Sequence, residues 1–170
     1  MCIQLQRGNQ VKRYIKSAIS NIHDDDEYSK IALAKSSYIS PRDLLILAED
    51  YDEYVREAVA RRPNLPIEVQ EKLSNDELFC VRSALAINPT ISLEIMEKLA
   101  SEDNWQVPQA LAFNPSVPEY LLRKLVDIAP EAVVWNPSTP LDILNKLSHH
   151  EDPDIRKEAM RSLKLRSGEL

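Results

Sequence analysis

Glycine is almost missing from this chain: 170 residues hold two, Gly8 and Gly168. A phosphate-cradling loop or a dinucleotide-binding turn needs clustered glycine, so those nucleotide sites are excluded. Aromatic residues make up only 6% against 44% hydrophobic residues, so the core is built from Leu, Ile, Val and Ala. Two cysteines, Cys2 and Cys80, are too few for a disulfide framework or a four-thiolate metal site. They read as reduced thiols of a cytosolic protein. No stretch approaches the roughly 18 apolar residues of a membrane span. The segment from Met1 to Arg13 lacks the apolar run of a signal peptide, so a soluble, cytoplasmic chain without a membrane span is expected.

Charge is plentiful but uneven. The net value is −6. Residues 1–20 carry four basic side chains and no acidic one, whereas residues 21–154 carry 25 acidic and 12 basic ones. Residues 155–170 return to a positive balance. An acidic body repels a nucleic-acid backbone along most of its length, which argues against nucleic acid as the partner.

Eleven prolines are present, and they are periodic. Val55-Arg-Glu-Ala-Val-Ala-Arg-Arg-Pro63, Val81-Arg-Ser-Ala-Leu-Ala-Ile-Asn-Pro89, Val107-Pro-Gln-Ala-Leu-Ala-Phe-Asn-Pro115 and Glu131-Ala-Val-Val-Trp-Asn-Pro137 are copies of one segment. Each copy leads to a closing leucine, Leu73, Leu99, Leu125 or Leu147, so the spacing is 26, 26 and 22 residues. The last full copy is four residues short, before Ala132. An upstream copy runs from Ala32 through Pro41 to Leu47, and a downstream half-copy begins at Ile155. Self-similarity at this period marks a solenoid. The expected organisation is a capping helix and acidic linker over 1–27, five repeats over 28–154, and a closing helix and tail over 155–170.

Each repeat predicts two short helices. In the first, Val55, Ala58 and Val59 form one apolar stripe, and the alanines at 58, 84, 110, 132 and 159 allow close approach of neighbours. Proline ends this helix, because it pushes the preceding residue out of the α region. Ser40, Ser92 and Thr139 are expected to cap the second helix, Ser40 with Asp43 as a capping box. Pro41 and Pro140 suit its first position. Leu93, Met96 and Leu99, or Tyr120, Leu121 and Leu125, are expected to be buried by it. At about eight residues it is too short to persist alone.

The recurring Val-Arg-x-Ala-Leu-Ala-x-Asn-Pro-x-x-Pro-x-x-x-Leu-x-x-Leu resembles the leucine-rich repeat variant family over about residues 28–165, with HEAT-type repeats as the near neighbour. The resemblance implies an all-α, right-handed superhelical solenoid of short α- and 3₁₀-type helices. One member of that family holds an iron–sulfur centre on an N-terminal cysteine cluster. Here that region has only Cys2, so no cofactor is carried over.

Four rows of residues recur with the repeat. Asn88, Asn114 and Asn136 precede proline and read as caps of helix ends rather than as a ligand ladder. Arg61, Ile87, Phe113 and Trp135 occupy one position. They read either as a second packing face, which burial of solenoid helices on two sides favours, or as an apolar partner-binding groove, to which Trp105 would add. Arg56, Arg82 and Arg156 form a ladder broken by Pro108, and Lys72, Lys98, Lys124 and Lys146 form another. A solvated, charge-mixed helix face is the expectation for both, with contacts to phosphate or an acidic partner through Arg56, Arg82, Arg156 and Arg161 as the alternative.

His149-His150-Glu151-Asp152 and His23 beside Asp24–Glu27 read as polar turn and linker, not as metal sites. No triad or thiol–imidazole pair is suggested, so no catalytic residue is assigned. Val11, Tyr14, Ile15, Ala18, Ile19 and Ile22 predict an amphipathic basic helix capping the first repeat, its cationic face an alternative contact for an acidic membrane or partner. A second basic helix over Ile155–Leu165 is expected to close the other end. The function these readings favour is a non-enzymatic scaffold or adaptor that docks a partner protein. The alternative is nucleic-acid binding through the basic ends.

Overall fold

The structure, a computed structural model, describes residues 27–168. The expected helix over Val11–Ile22, together with Cys2, His23 and Asp24–Asp26, lies outside them. Within them are α-helices joined by short turns, with no strand. The order is α1 (Glu27–Lys35), α2 (Pro41–Leu47), α3 (Glu53–Ala60), α4 (Ile67–Leu73), α5 (Phe79–Ala86), α6 (Leu93–Leu99), α7 (Gln106–Ala112), α8 (Glu119–Leu125), α9 (Pro130–Trp135), α10 (Leu141–Leu147) and α11 (Pro153–Ser167). The odd-numbered helices stack on one another as one layer. The even-numbered helices form a second layer that touches itself far less. This is an all-α repeat solenoid.

Why the odd helices approach closely is visible in their composition. Ala58, Ala84, Ala110, Ala132 and Ala159 are buried between neighbours, and Val55, Val59, Val81, Leu85, Val107 and Leu111 fill the seam between the layers. The even helices add Leu44, Leu47, Val69, Leu73, Ile95, Leu99, Leu121, Leu125, Leu144 and Leu147. Two members of the expected core face outward: Leu93 and Tyr120 are exposed, and Ile95 and Leu122 are buried instead. Both exposed residues stand in the first turn of their helices, one or two positions before the inward face begins.

Side chains cap four of the helix starts, Ser40, Asp52, Ser92 and Asp152. Ser40 accepts from Asp43 N at 3.2 Å and Ser92 from Ile95 N at 3.3 Å. Pro41 is the first residue of α2, but Pro66, Pro118 and Pro140 sit one residue earlier, at the cap itself. Thr139 is therefore not an N-cap. Its hydroxyl, fully buried, donates back to the Val133 carbonyl at 2.6 Å and satisfies the end of α9.

Two ladders tie each repeat to the one before. The first is made by the asparagines. Asn88 Nδ2 donates to the carbonyls of Ala60 (2.8 Å) and Arg62 (2.6 Å). Asn114 donates to Ala86 and Asn88, both at 2.8 Å, and Asn136 to Ala112 (2.7 Å) and Asn114 (2.9 Å). Each Oδ1 accepts from the backbone two residues on, Thr90, Ser116 or Ser138. One side chain thus caps the end of the neighbouring repeat's helix and folds its own turn. One repeat earlier, Arg62 takes the asparagine's place and donates to the Ala34 carbonyl at 2.7 Å.

The second ladder is ionic. Arg56 and Arg82 do not lie on a solvated face, as the sequence suggested. Arg56 is buried, and its Nε and Nη2 donate to Asp76 of the next repeat at 2.6 and 3.2 Å. Its Nη1 donates to the carbonyls of Asp50 and Tyr51 in its own leading turn. Arg82 repeats the arrangement with Glu102 and the Asp76 carbonyl. Lys30 belongs to the same row: it is buried, paired with Asp50 at 2.9 Å, and placed over the Tyr51 ring. Burial alone would depress the Lys30 pKa, but the Asp50 carboxylate outweighs it and holds the ammonium above its ordinary value. Hydrogen bonding to Asp76 likewise raises Arg56.

The last regular repeat and the short one lack the whole device. Pro108 and Pro130 stand where the cation belongs, both in the first turn of a helix, where proline loses no intrahelical bond. The acids that would meet them are gone as well. The four-residue shortening removes one turn, and His150 occupies the place of Asp50 and Asp76 in the other. Cation and acid vanish together, because either one alone would be a buried unpaired charge.

Two measurements test the ladders. Asn114→Ala leaves two buried carbonyls without a donor and lowers the unfolding free energy by about 3 kcal/mol in urea titration, with Asn114→Asp costing more. Arg56→Met strands Asp76 and costs about 2–4 kcal/mol. A cycle with Asp76→Asn returns a coupling of roughly 1–3 kcal/mol.

Candidate interaction face

The outward face of each odd helix presents positions i, i+4 and i+8, which lie on one side of an α-helix. On α3 these are Glu53, Glu57 and Arg61. On α5 they are Phe79, Ser83 and Ile87. On α7 they are Trp105, Gln109 and Phe113, and on α9 Glu131 and Trp135. On α11 Lys157 and Arg161 continue the series.

The Ile87, Phe113 and Trp135 row is not a second packing face. The three side chains are 49%, 46% and 58% exposed, and Trp105 is 58% exposed. The reason is the two-layer stack. Each odd helix contacts its odd neighbours on two flanks and the even layer behind it, so the fourth side stays open. Phe79, eight residues before Ile87 on the same helix side, is exposed as well, and the sequence reading did not assign it. Its signal was present in that spacing.

Arg61 stands at the charged edge of the face. It pairs with Glu57 at 2.6 Å while staying well exposed. It also lines a groove of about 660 Å³ between α1 and α3, with Ile31, Tyr54 and Ala58. Arg161 marks the other edge, 3.6 Å from Glu158 and exposed. The remaining arginines of the phosphate alternative are turned inward. Arg56 and Arg82 are spent on Asp76 and Glu102. Arg156 donates to the carbonyls of His150 (2.6 Å) and Glu151 (2.7 Å).

Three lysines of the row pair along the even layer, on the solvated, charge-mixed face that the sequence suggested. Lys72 reaches back to Glu49 (2.7 Å), Lys98 to Ser74 and Asn75, and Lys146 to Asp127 (2.6 Å). Desolvation depresses Lys98. Arg123 bridges Glu119 and Asp142, which raises the arginine and holds the Asp142 carboxyl below its usual range.

The solved structures include a leucine-rich repeat variant, described as having a novel repetitive structural motif. It shares 21% identity, covers 89% of this chain and 73% of its own length, and superposes with a TM-score of 0.37. At that score the likeness carries no weight for the site. The repeat architecture stands on the helices and ladders above. No family model matches the chain, and no curated protein matches it.

Among the described residues, no group of three His, Cys, Asp or Glu side chains could hold a metal ion, and no helix is long and apolar enough to cross a membrane. The two adjacent histidines belong to the turn before α11. His149 Nδ1 donates to the Asn145 carbonyl at 3.0 Å, and His150 Nδ1 accepts from Asp152 N at 3.1 Å. The Cys80 thiol is raised by burial and by the neighbouring Glu57 carboxylate, which keeps it protonated.

Exposure of the aromatic row has a direct check. Phe113→Ser and Trp135→Ser each change stability by less than about 1 kcal/mol in thermal unfolding. Leu111→Ala, at a fully buried position beside them, costs about 2–5 kcal/mol.

Proposed function

We propose that this chain is a non-enzymatic, cytoplasmic scaffold or adaptor that docks a partner protein on the open face of its odd-helix layer. The observation that carries the reading is one apolar patch, Phe79, Ile87, Trp105, Phe113 and Trp135, on three successive helices, with charged residues at both edges. Large aromatics left in water by a repeat stack that could bury them elsewhere are the mark of an interaction surface, and Trp is the residue type most enriched at binding hot spots. The inward arginines leave only Arg161 of the candidate phosphate contacts exposed on this face, so nucleic acid is the weaker reading.

Parallel affinity capture tests it. The full chain and a Phe113→Asp/Trp135→Asp variant are used as baits, with and without nuclease, and bound proteins are quantified by mass spectrometry. The expected result is a nuclease-resistant set retained by the full chain and depleted at least about tenfold on the variant. Identical sets on both baits, or a set lost on nuclease treatment, would contradict it.

A further inference from the structure

We infer that residues 11–22 of this chain, which lie outside the described ones, cover the α1 end of the array as one helix lying across α1 and α2. The later repeats show which positions face that end. The position of Ile46 is held in them by Lys72, Lys98, Lys124 and Lys146. Three of these reach back to the preceding repeat, Lys72 to Glu49, Lys98 to Ser74 and Asn75, and Lys146 to Asp127. Position 46 therefore faces whatever precedes α1. There it is an isoleucine, 50% exposed. Ala32 is exposed too, although its copies Ala58, Ala84 and Ala110 are buried. Where a lysine calls for an acid, an isoleucine calls for an apolar neighbour. The acidic run Asp24–Asp26 does not supply one.

Residues 11–22 do. Val11, Tyr14, Ile15, Ala18, Ile19 and Ile22 share one side of a helix, with Arg13 and Lys16 on the other. The last three of the stripe repeat the inward spacing of the even helices, Leu121, Leu122 and Leu125 on α8 and Ile143, Leu144 and Leu147 on α10. Four residues join Ile22 to α1, as four join Leu125 to α9. The stripe thus arrives in phase for the even layer, beside α2.

The other end of the molecule is built in this way. The 15-residue α11, the longest of the described helices, packs on both α9 and α10 and buries Ile155 and Ala159 there. Its outer side is basic, with Lys157 and Arg161 exposed. Residues 11–22 make a helix of about 18 Å, enough to reach two layers whose packed helices lie about 8–10 Å apart. Arg13 and Lys16 give it the same basic outer side. A terminal unit of a solenoid turns an apolar side to the stack and a polar one to water.

Hydrogen exchange of the full chain, read by mass spectrometry, tests the cap. Amides of residues 16–22 should exchange at least about tenfold more slowly than in a free peptide of residues 11–22. Ile19→Asp/Ile22→Asp should remove that protection and speed exchange in α1 and α2 at least about tenfold, with α7 and α8 unchanged. Ile46→Lys restores the residue of the later repeats and puts no charge in the segment. It should loosen residues 16–22 in the same way, and it keeps the test decisive if the double variant unfolds. Free-peptide rates at residues 16–22 of the full chain, or rates there that ignore Ile46→Lys, would overturn the cap. So would a folded double variant in which α1 and α2 exchange as before. Protection that appears only with rising concentration, alongside a dimer in sedimentation that Ile46→Lys abolishes, would replace the segment with a second copy of this chain.

Discussion

Everything in this molecule hangs on one geometric demand: a short helix that ends inside a stack leaves carbonyls that only the next repeat can reach. The asparagine before Pro89, Pro115 and Pro137 answers that demand, and Arg62 answers it before Pro63. Each asparagine's two amide hydrogens span the last helical carbonyl of the preceding repeat and the carbonyl of that repeat's own turn, two residues on. Its oxygen holds the turn that allows the chain to reverse. Aspartate lacks the donor, serine lacks the second hydrogen, and glutamine places the amide a carbon too far. Because each asparagine carbonyl is itself an acceptor for the next asparagine, as Asn88 is for Asn114 and Asn114 for Asn136, the ladder propagates register through the array. Seven-residue helices that could not persist in water become parts of one cooperative body.

The ionic ladder does a different job. Lys30, Arg56 and Arg82 reach the leading turns of their own repeats or the next and hold those turns against the stack. Asp50, Asp76 and Glu102 in those turns are structural acids. Loss of the device over the short repeat concentrates the departure from regularity beneath Trp135. The aromatic face thus runs from a tightly clamped half of the molecule onto a half held by asparagines, apolar packing and surface pairs.

Much of the architecture was legible in the sequence, because the repeat displays itself four times in phase. Val55, Ala58 and Val59, the terminating prolines and the closing leucines all occupy the roles that their spacing implies. What was less legible required knowing which side chain meets which neighbour. Asn114 is readable as a cap, but not as the cap of a different helix 28 residues away. The cation and acid of each clamp sit 20 residues apart, as in Arg56 and Asp76, a separation with no local periodicity. Comparing copies would have exposed it, since Pro108 and Pro130 lose their acids together. The open side of the odd helices was also hidden. Patterning distinguishes an apolar stripe from a polar one, yet Ile87, Phe113 and Trp135 are as apolar as any core row.

The central claim is that the repeats are interchangeable units held in phase by the asparagine ladder. Excision of residues 79–104 tests it directly, because Leu78 then joins Trp105, both partners of the Arg82–Glu102 clamp leave together, and Asn114 arrives where Asn88 stood. Urea unfolding followed by circular dichroism should show a helical, cooperatively folded chain with a smaller m-value. A control that removes four further residues, 79–108, should lose cooperativity. An unfolded 26-residue deletion, or equal behaviour of the two deletions, would contradict the account.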